Sequence, residues 1–170
     1  MNSKRKNHMR GLEHKKNHPL QIASFFMFFA VLILDFFVLK VATGFAGLMP
    51  LVIRIALFLI VLALAFVLMA KSHQALFGQK HISSEKHEPL ALVTDGVFAY
   101  VRHPMYLGTI LMYLSFILLT VSPVSLIPWI IIIIIYDYLA NYEETVLEKT
   151  FGKDYLEYKK RVAKWIPRLT

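Results

Sequence analysis

Four long apolar runs constrain this chain more than any other feature. LQIASFFMFFAVLILDFFVLKV covers about residues 20–41, LVIRIALFLIVLALAFVLMA covers 51–70, a third runs over about 104–121 and a fourth over about 124–140. A bilayer core about 30 Å thick needs roughly 20 apolar residues of helix to cross it. Only helices and closed barrels satisfy their backbone polar groups there. The runs predict an all-α, polytopic membrane protein with about four transmembrane helices. With 57% apolar residues in 170, the chain is too hydrophobic for an ordinary soluble domain of its size. It has no cysteine, which removes thiolate chemistry and disulfides from consideration.

The organisation follows from the breaks between the runs. Residues 1–19 are polar and basic and read as a disordered or surface-lying cytoplasmic tail. Residues 20–70 hold two spans joined by the Gly/Pro turn TGFAGLMP. Residues 71–170 form a third unit: a polar loop, a transmembrane hairpin over 104–140 turning at Ser122-Pro123, and a charged C-terminal helix. Asp35 lies near the far end of the first span and is expected at the interface rather than in the bundle. Of the 19 lysines and arginines, only Lys40 and Arg54 fall on the side opposite the termini. The positive-inside rule then predicts both termini in the cytoplasm. The formal net charge of +8 is read the same way, as basic loops beside lipid, with no nucleic-acid module present. His73, His81 and His87 are too widely spaced for a metal motif, and no metal is expected.

The hairpin brings two polar clusters together. From Pro104 to Ser122, and again from Pro123 to Asn141, a helix rises about 27 Å. The chain therefore returns to the interface at the depth where it left, placing RHPMY (residues 102–106) opposite YEE (142–144). Pro104 suits a first helical turn, and it holds His103 extended. Aromatic walls at Phe98, Tyr100 and Tyr106 facing a carboxylate suit a polar ligand with a flat ring and a positive centre. Taken singly, RHP is an ordinary interface anchor and paired glutamates an ordinary solvated face. Their convergence points to a site. The apolar series Val146, Leu147, Phe151 and Tyr155 is spaced to cover it.

Two segments, LVTDGVFAYVRHPMYLG at 92–108 and YEETVLEKTFGKDYLEYKKRV at 142–162, resemble the isoprenylcysteine carboxyl methyltransferase and phospholipid methyltransferase family of integral membrane enzymes. The likeness covers roughly 80–168. It implies S-adenosyl-L-methionine as methyl donor, held in a cytoplasmic pocket covered by the C-terminal helix. Carried over by position, Leu90, Ala91, Leu92, Val93 and Phe98 line the pocket, His103, Pro104, Met105 and Tyr106 hold the cofactor, and Glu143 binds one of its polar groups. Two positions depart from the family pattern: Phe98 replaces a tyrosine, and Leu139 replaces a substrate-associated arginine. The acceptor implied is lipophilic, prenylated or lipid-linked, methylated on a carboxylate or an amine. Arg102 or Arg161 would orient a carboxylate, and Glu144 would take the proton of an amine. Two rival readings are an NAD(P)H-dependent reductase of the related sterol and steroid reductase architecture and a non-enzymatic membrane adaptor.

Overall fold

The computed structural model describes residues 3–83 and 92–167, with side chains described at 19–76 and 92–167. The elements run in the order α1 (Ser3–Leu34), α2 (Val41–Phe45), α3 (Leu51–Ser83), α4 (Pro104–Thr120), α5 (Leu126–Phe151) and α6 (Lys153–Arg161). The protein is an all-α polytopic membrane protein. Three stretches are long and apolar enough to cross a bilayer alone: Pro19–Leu39, Leu51–Leu76 and Leu126–Phe151. The fourth expected span, α4, is apolar but has 17 residues, about 25 Å of helix. Large apolar side chains such as Phe26, Val52, Ile60 and Ile134 point outward, where lipid would cover them.

Two placements differ from expectation. The basic tail is helical from Ser3 and continuous with the first span, rather than disordered. The fourth span runs on past 141 as helix, as its Glu, Leu and Lys predict, and ends at Phe151 before Gly152, at φ +58°. Asp35 faces the bundle and is fully buried. It sits where α1 ends in a π-helical turn over Asp35–Leu39, and its Oδ1 accepts the backbone N–H of Val41 at 3.1 Å and of Ala42 at 3.4 Å. The Ser122 hydroxyl donates to its Oδ2, tying the α1 end to the α4–α5 turn.

The bundle core lies between α1, α4 and α5. It is built from Phe28 of α1, Tyr106, Ile110 and Tyr113 of α4, and Ile132, Tyr136 and Leu139 of α5. The α3 and α4 backbones approach closely at Gly108, where an added Cβ would lie 2.9 Å from the Ala65 carbonyl oxygen. Small residues at such a crossing are the usual route to tight helix packing in a membrane. Trp129 of α5 donates to the Ile110 carbonyl at 3.0 Å, pinning the hairpin arms together.

A candidate cofactor site at the mouth of the hairpin

Pro104 opens α4 as its first residue, and His103 before it is held out of the helical region at φ −125°, ψ 58°. The residues leading into it are fixed by the far end of the chain. Val101 forms a parallel bridge with Ala163, and the Arg102 N–H donates to the Ala163 carbonyl at 2.9 Å. The Arg102 guanidinium donates to the carbonyls of Lys159 at 3.1 Å and Val162 at 2.6 Å, satisfying the open C-terminal end of α6.

The two glutamates of α5 face different partners, as a 100° step between neighbours requires. Glu144 is 3% exposed. Arg102 Nε donates to its Oε1 at 3.0 Å, His103 Nε2 lies 3.1 Å from the same oxygen, and Lys159 Nζ lies 3.0 Å from Oε2. Glu143 is more open, with 42% of its side chain exposed. It accepts the Tyr106 hydroxyl and sits 3.7 Å from His103 Nδ1. His103 therefore stands between the two carboxylates. Its ring stacks on Tyr106 at 5.8 Å and 7°, and Trp165 flanks it at 5.8 Å. Trp165 is itself placed by Asp137, which accepts its indole N–H at 2.9 Å and pairs with Lys164.

Beside this polar group lies an apolar cavity of about 110 Å³. Leu76 of α3 and Leu92, Val93 and Phe98 of the connector form one wall. Leu147 and Phe151 of α5 and Tyr155 and Tyr158 of α6 form the other, with Arg102 at the edge. The Tyr158 hydroxyl donates to the Phe98 carbonyl at 2.7 Å, closing α6 onto the connector. Burial pushes the Tyr158 phenol up to about 12 and raises Tyr155 further, so both keep their protons at neutral pH. The Lys159 ammonium is raised by its hydrogen bonds to Glu148 and Glu144.

The residues singled out from sequence divide accordingly. Leu92, Val93 and Phe98 line the cavity, while His103, Tyr106 and Glu143 form the polar group. Pro104 is buried as a helix start, and Met105 is half-buried beside it. Leu90 and Ala91, with the side chains of His81 and His87, lie outside the described residues. Arg102 and Glu144, expected to act on the acceptor, are bonded to each other and to the C-terminal segment, and Arg102 also borders the cavity. Sequence reasoning missed Lys159 and Trp165. The signal for Lys159 was the KDYLEYKK run, whose i, i+4 spacing sets Tyr155 and Lys159 on one face of α6; Trp165 lies past the end of that helix and had none.

A model of the family described as phospholipid methyltransferase matches residues 51–154. The chain belongs to the phospholipid methyltransferase family. Among relatives, it is 35% identical over 88 residues to a protein-S-isoprenylcysteine O-methyltransferase of Dictyostelium discoideum, covering 51% of this chain and 37% of that protein. It is 32% identical over 89 residues to protein-S-isoprenylcysteine O-methyltransferase B of Arabidopsis thaliana, covering 51% and 44%. The protein-S-isoprenylcysteine O-methyltransferase of Homo sapiens is 32% identical over 87 residues, covering 51% and 31%. The match thus spans less than half the length of these relatives. No solved structure shows significant similarity. The family resemblance read from RHPMY and YEE is confirmed, and it favours a methyltransferase over the reductase architecture.

Proposed function

We propose that the protein is an integral membrane methyltransferase that uses S-adenosyl-L-methionine and acts on a lipophilic or lipid-linked acceptor. The observation that carries this reading is the Tyr106–Glu143–His103 group at the mouth of α4, set beside an apolar cavity lined by Leu92, Val93 and Phe98. These residues fit the cofactor chemically. Apolar and aromatic walls suit a flat base, and an accessible carboxylate suits hydroxyl or amino donors. The cofactor supplies an electrophilic methyl group, which transfers by in-line displacement. The chain's own part is alignment and exclusion of water. Tyr106 holds the Glu143 carboxylate by donating to it, and His103 is stacked so that Nδ1 faces the same carboxylate. Tyr158 and Arg102 draw α6 over the connector along one side of the cavity.

In this reading Arg102 and Glu144 are positioning residues. Glu144 already faces three basic side chains, which leaves it a poor acceptor for a substrate proton. Leu139, where the resemblance places a substrate-associated arginine, is 2% exposed in the bundle core, so this position offers no cation to a carboxylate acceptor. The acceptor reaches the site from the membrane, since the site sits at the ends of apolar helices. With the excess of lysine and arginine around both termini, we place both termini and the site on the cytoplasmic side.

The test is to incubate membranes containing the protein with methyl-tritiated S-adenosylmethionine and extract the lipids. Label in an organic-phase product, absent with Glu143→Gln, is the expected result. Oxidation of NADPH without methyl transfer would favour the reductase architecture instead.

A further inference from the structure

The polar cluster around Asp137 has no part in the chemistry derived above. Asp137 lies on α5 seven residues before Glu144, about 10 Å of helix farther into the bundle. Its Oδ1 accepts the Trp165 indole N–H at 2.9 Å and pairs with Lys164, while its Oδ2 accepts the Asn141 amide at 3.0 Å. Lys164 also donates to the Asn141 side-chain oxygen at 2.9 Å. After α6 ends at Arg161, the chain therefore turns back along α5 to reach a carboxylate one to two turns before the paired glutamates. Stability alone accounts poorly for this return. Asp137 has 43% of its side chain exposed, and exposed ion pairs stabilise proteins little.

What the cluster does hold is an aromatic ring against the site. The Trp165 indole packs on the edge of the bundle core, with its centroid 5.8 Å from the His103 ring and inclined at 43°. His103 is fixed at Nε2, which lies 3.1 Å from Glu144. On its other side Nδ1 is 3.7 Å from Glu143, too long for a hydrogen bond to hold the ring there. The tilt of the imidazole toward Glu143 thus rests on the two rings packed against it, Tyr106 and Trp165. Tyr106 is anchored by donating to Glu143, and Trp165 is anchored by donating to Asp137. A site group keeps its geometry only when its neighbours are themselves locked by packing and hydrogen bonds.

We infer that Trp165, locked by Asp137, is a positioning residue of the proposed methyl-transfer site: it holds the His103 imidazole in the orientation that directs Nδ1 at the Glu143 carboxylate. This deepens the methyltransferase reading and rests on it. Trp165 acts through His103 and is assigned no contact with cofactor or acceptor. Asp137 acts one step further back, through the indole N–H. A phenylalanine at 165 would keep a flat ring beside His103 but could not be locked by the carboxylate.

The experiment uses the full chain in detergent micelles. S-adenosylmethionine is titrated by calorimetry well below the melting temperature, and the ligand-free protein is studied by melting and by acrylamide quenching. The sequence has two tryptophans, so a Trp129→Phe background makes Trp165 the only indole. Asp137→Leu and Trp165→Leu should each weaken cofactor binding by about three- to tenfold, less than loss of the Glu143 carboxylate itself. Asp137→Asn keeps an oxygen for the indole N–H and should bind within about twofold of wild type. The Asp137 variants should melt close to wild type, as an exposed pair predicts. Asp137→Leu should also make Trp165 more accessible to acrylamide. In a His103→Ala background, Trp165→Leu should cause no further loss of affinity, because its effect passes through the imidazole. Wild-type affinity in both leucine variants overturns the inference and leaves the methyltransferase reading intact. So do losses that add to that of His103→Ala, or quenching unchanged by Asp137→Leu. An Asp137→Leu protein whose weaker binding accompanies a large drop in melting temperature, unrescued by Asp137→Asn, shows a structural role and overturns it too. A wild-type chain that does not bind S-adenosylmethionine overturns the methyltransferase reading first, and this inference with it.

Discussion

Arg102 and Glu144 meet at 2.9 Å although 42 residues separate them, and both side chains are almost wholly withdrawn from solvent. This pair joins the mouth of α4 to α5, and through the Lys159 and Val162 carbonyls it joins both to α6. Removing one partner of a buried pair costs about 3–5 kcal/mol, because the other is left uncompensated. Glu144→Gln and Arg102→Met should each lower the melting temperature of the ligand-free protein markedly, and in combination they should cost less than the sum. A double-mutant cycle on thermal melts measures that coupling. Additive losses would mean that the two residues stabilise the fold independently.

The close crossing of α3 and α4 gives a second prediction. In Gly108→Ala the new methyl group would meet Met69 Cγ at 2.7 Å and the Ala65 carbonyl oxygen at 2.9 Å. A methionine side chain can move aside, but a helical backbone carbonyl cannot without separating the helices. Overpacking of this kind costs about 1–3 kcal/mol. Gly44 of α2 has nothing within 4 Å of its Cβ position, so Gly44→Ala should be neutral or slightly stabilising. Melting the two variants side by side checks the contrast.

Val121 ends α4 in the left-handed region at φ +52°, donating its N–H to the Ile117 carbonyl at 2.7 Å. A β-branched residue is unfavourable there. The position is held by the turn that follows, where Ser122 bonds Asp35 and Ser125. Val121→Gly should therefore stabilise the protein by about 1 kcal/mol, set by the relief of strain against the greater chain entropy of glycine. A lower melting temperature would show that the valine side chain matters more than its backbone.

The hairpin was legible in the sequence because it depends on two countable quantities, helix rise and the distance between turn signals. Counting from Pro104 to Ser122 and back to Asn141 predicts that YEE faces RHPMY, and Tyr106–Glu143 and His103–Glu144 are the contacts that result. The division of labour between the two glutamates was not legible. It depends on Lys159 and Ala163, which reach α4 through a turn at Gly152 and an extended stretch after α6, and neither has a periodicity to count. Asp35 was misplaced for a similar reason. Its depth along α1 follows from counting, but its burial follows from Ser122, 87 residues away.

The lid is testable by truncation. Ending the chain after Phe151 removes Tyr155, Tyr158 and the Ala163 bridge, which leaves the cavity open on one side. The truncated protein should still insert, because the apolar spans precede residue 151. It should lose S-adenosylmethionine binding in a calorimetric titration. Retained affinity would show that the cofactor needs no cover from the C-terminal segment.

In the proposed function, S-adenosylmethionine binds at the Tyr106–Glu143–His103 group while Glu144 serves the fold. The most direct measurement is calorimetric titration of S-adenosylmethionine into wild type, Glu143→Gln and Glu144→Gln, each paired with a melt of the ligand-free protein. A charge-assisted hydrogen bond is worth roughly 1.5–3 kcal/mol, so Glu143→Gln should raise the dissociation constant by about one to two orders of magnitude. Its melting temperature should stay close to that of wild type, because its carboxylate is the more open of the two. Glu144→Gln should show the reverse weighting, a large loss of stability. A Glu143→Gln protein that binds the cofactor like wild type would contradict the account.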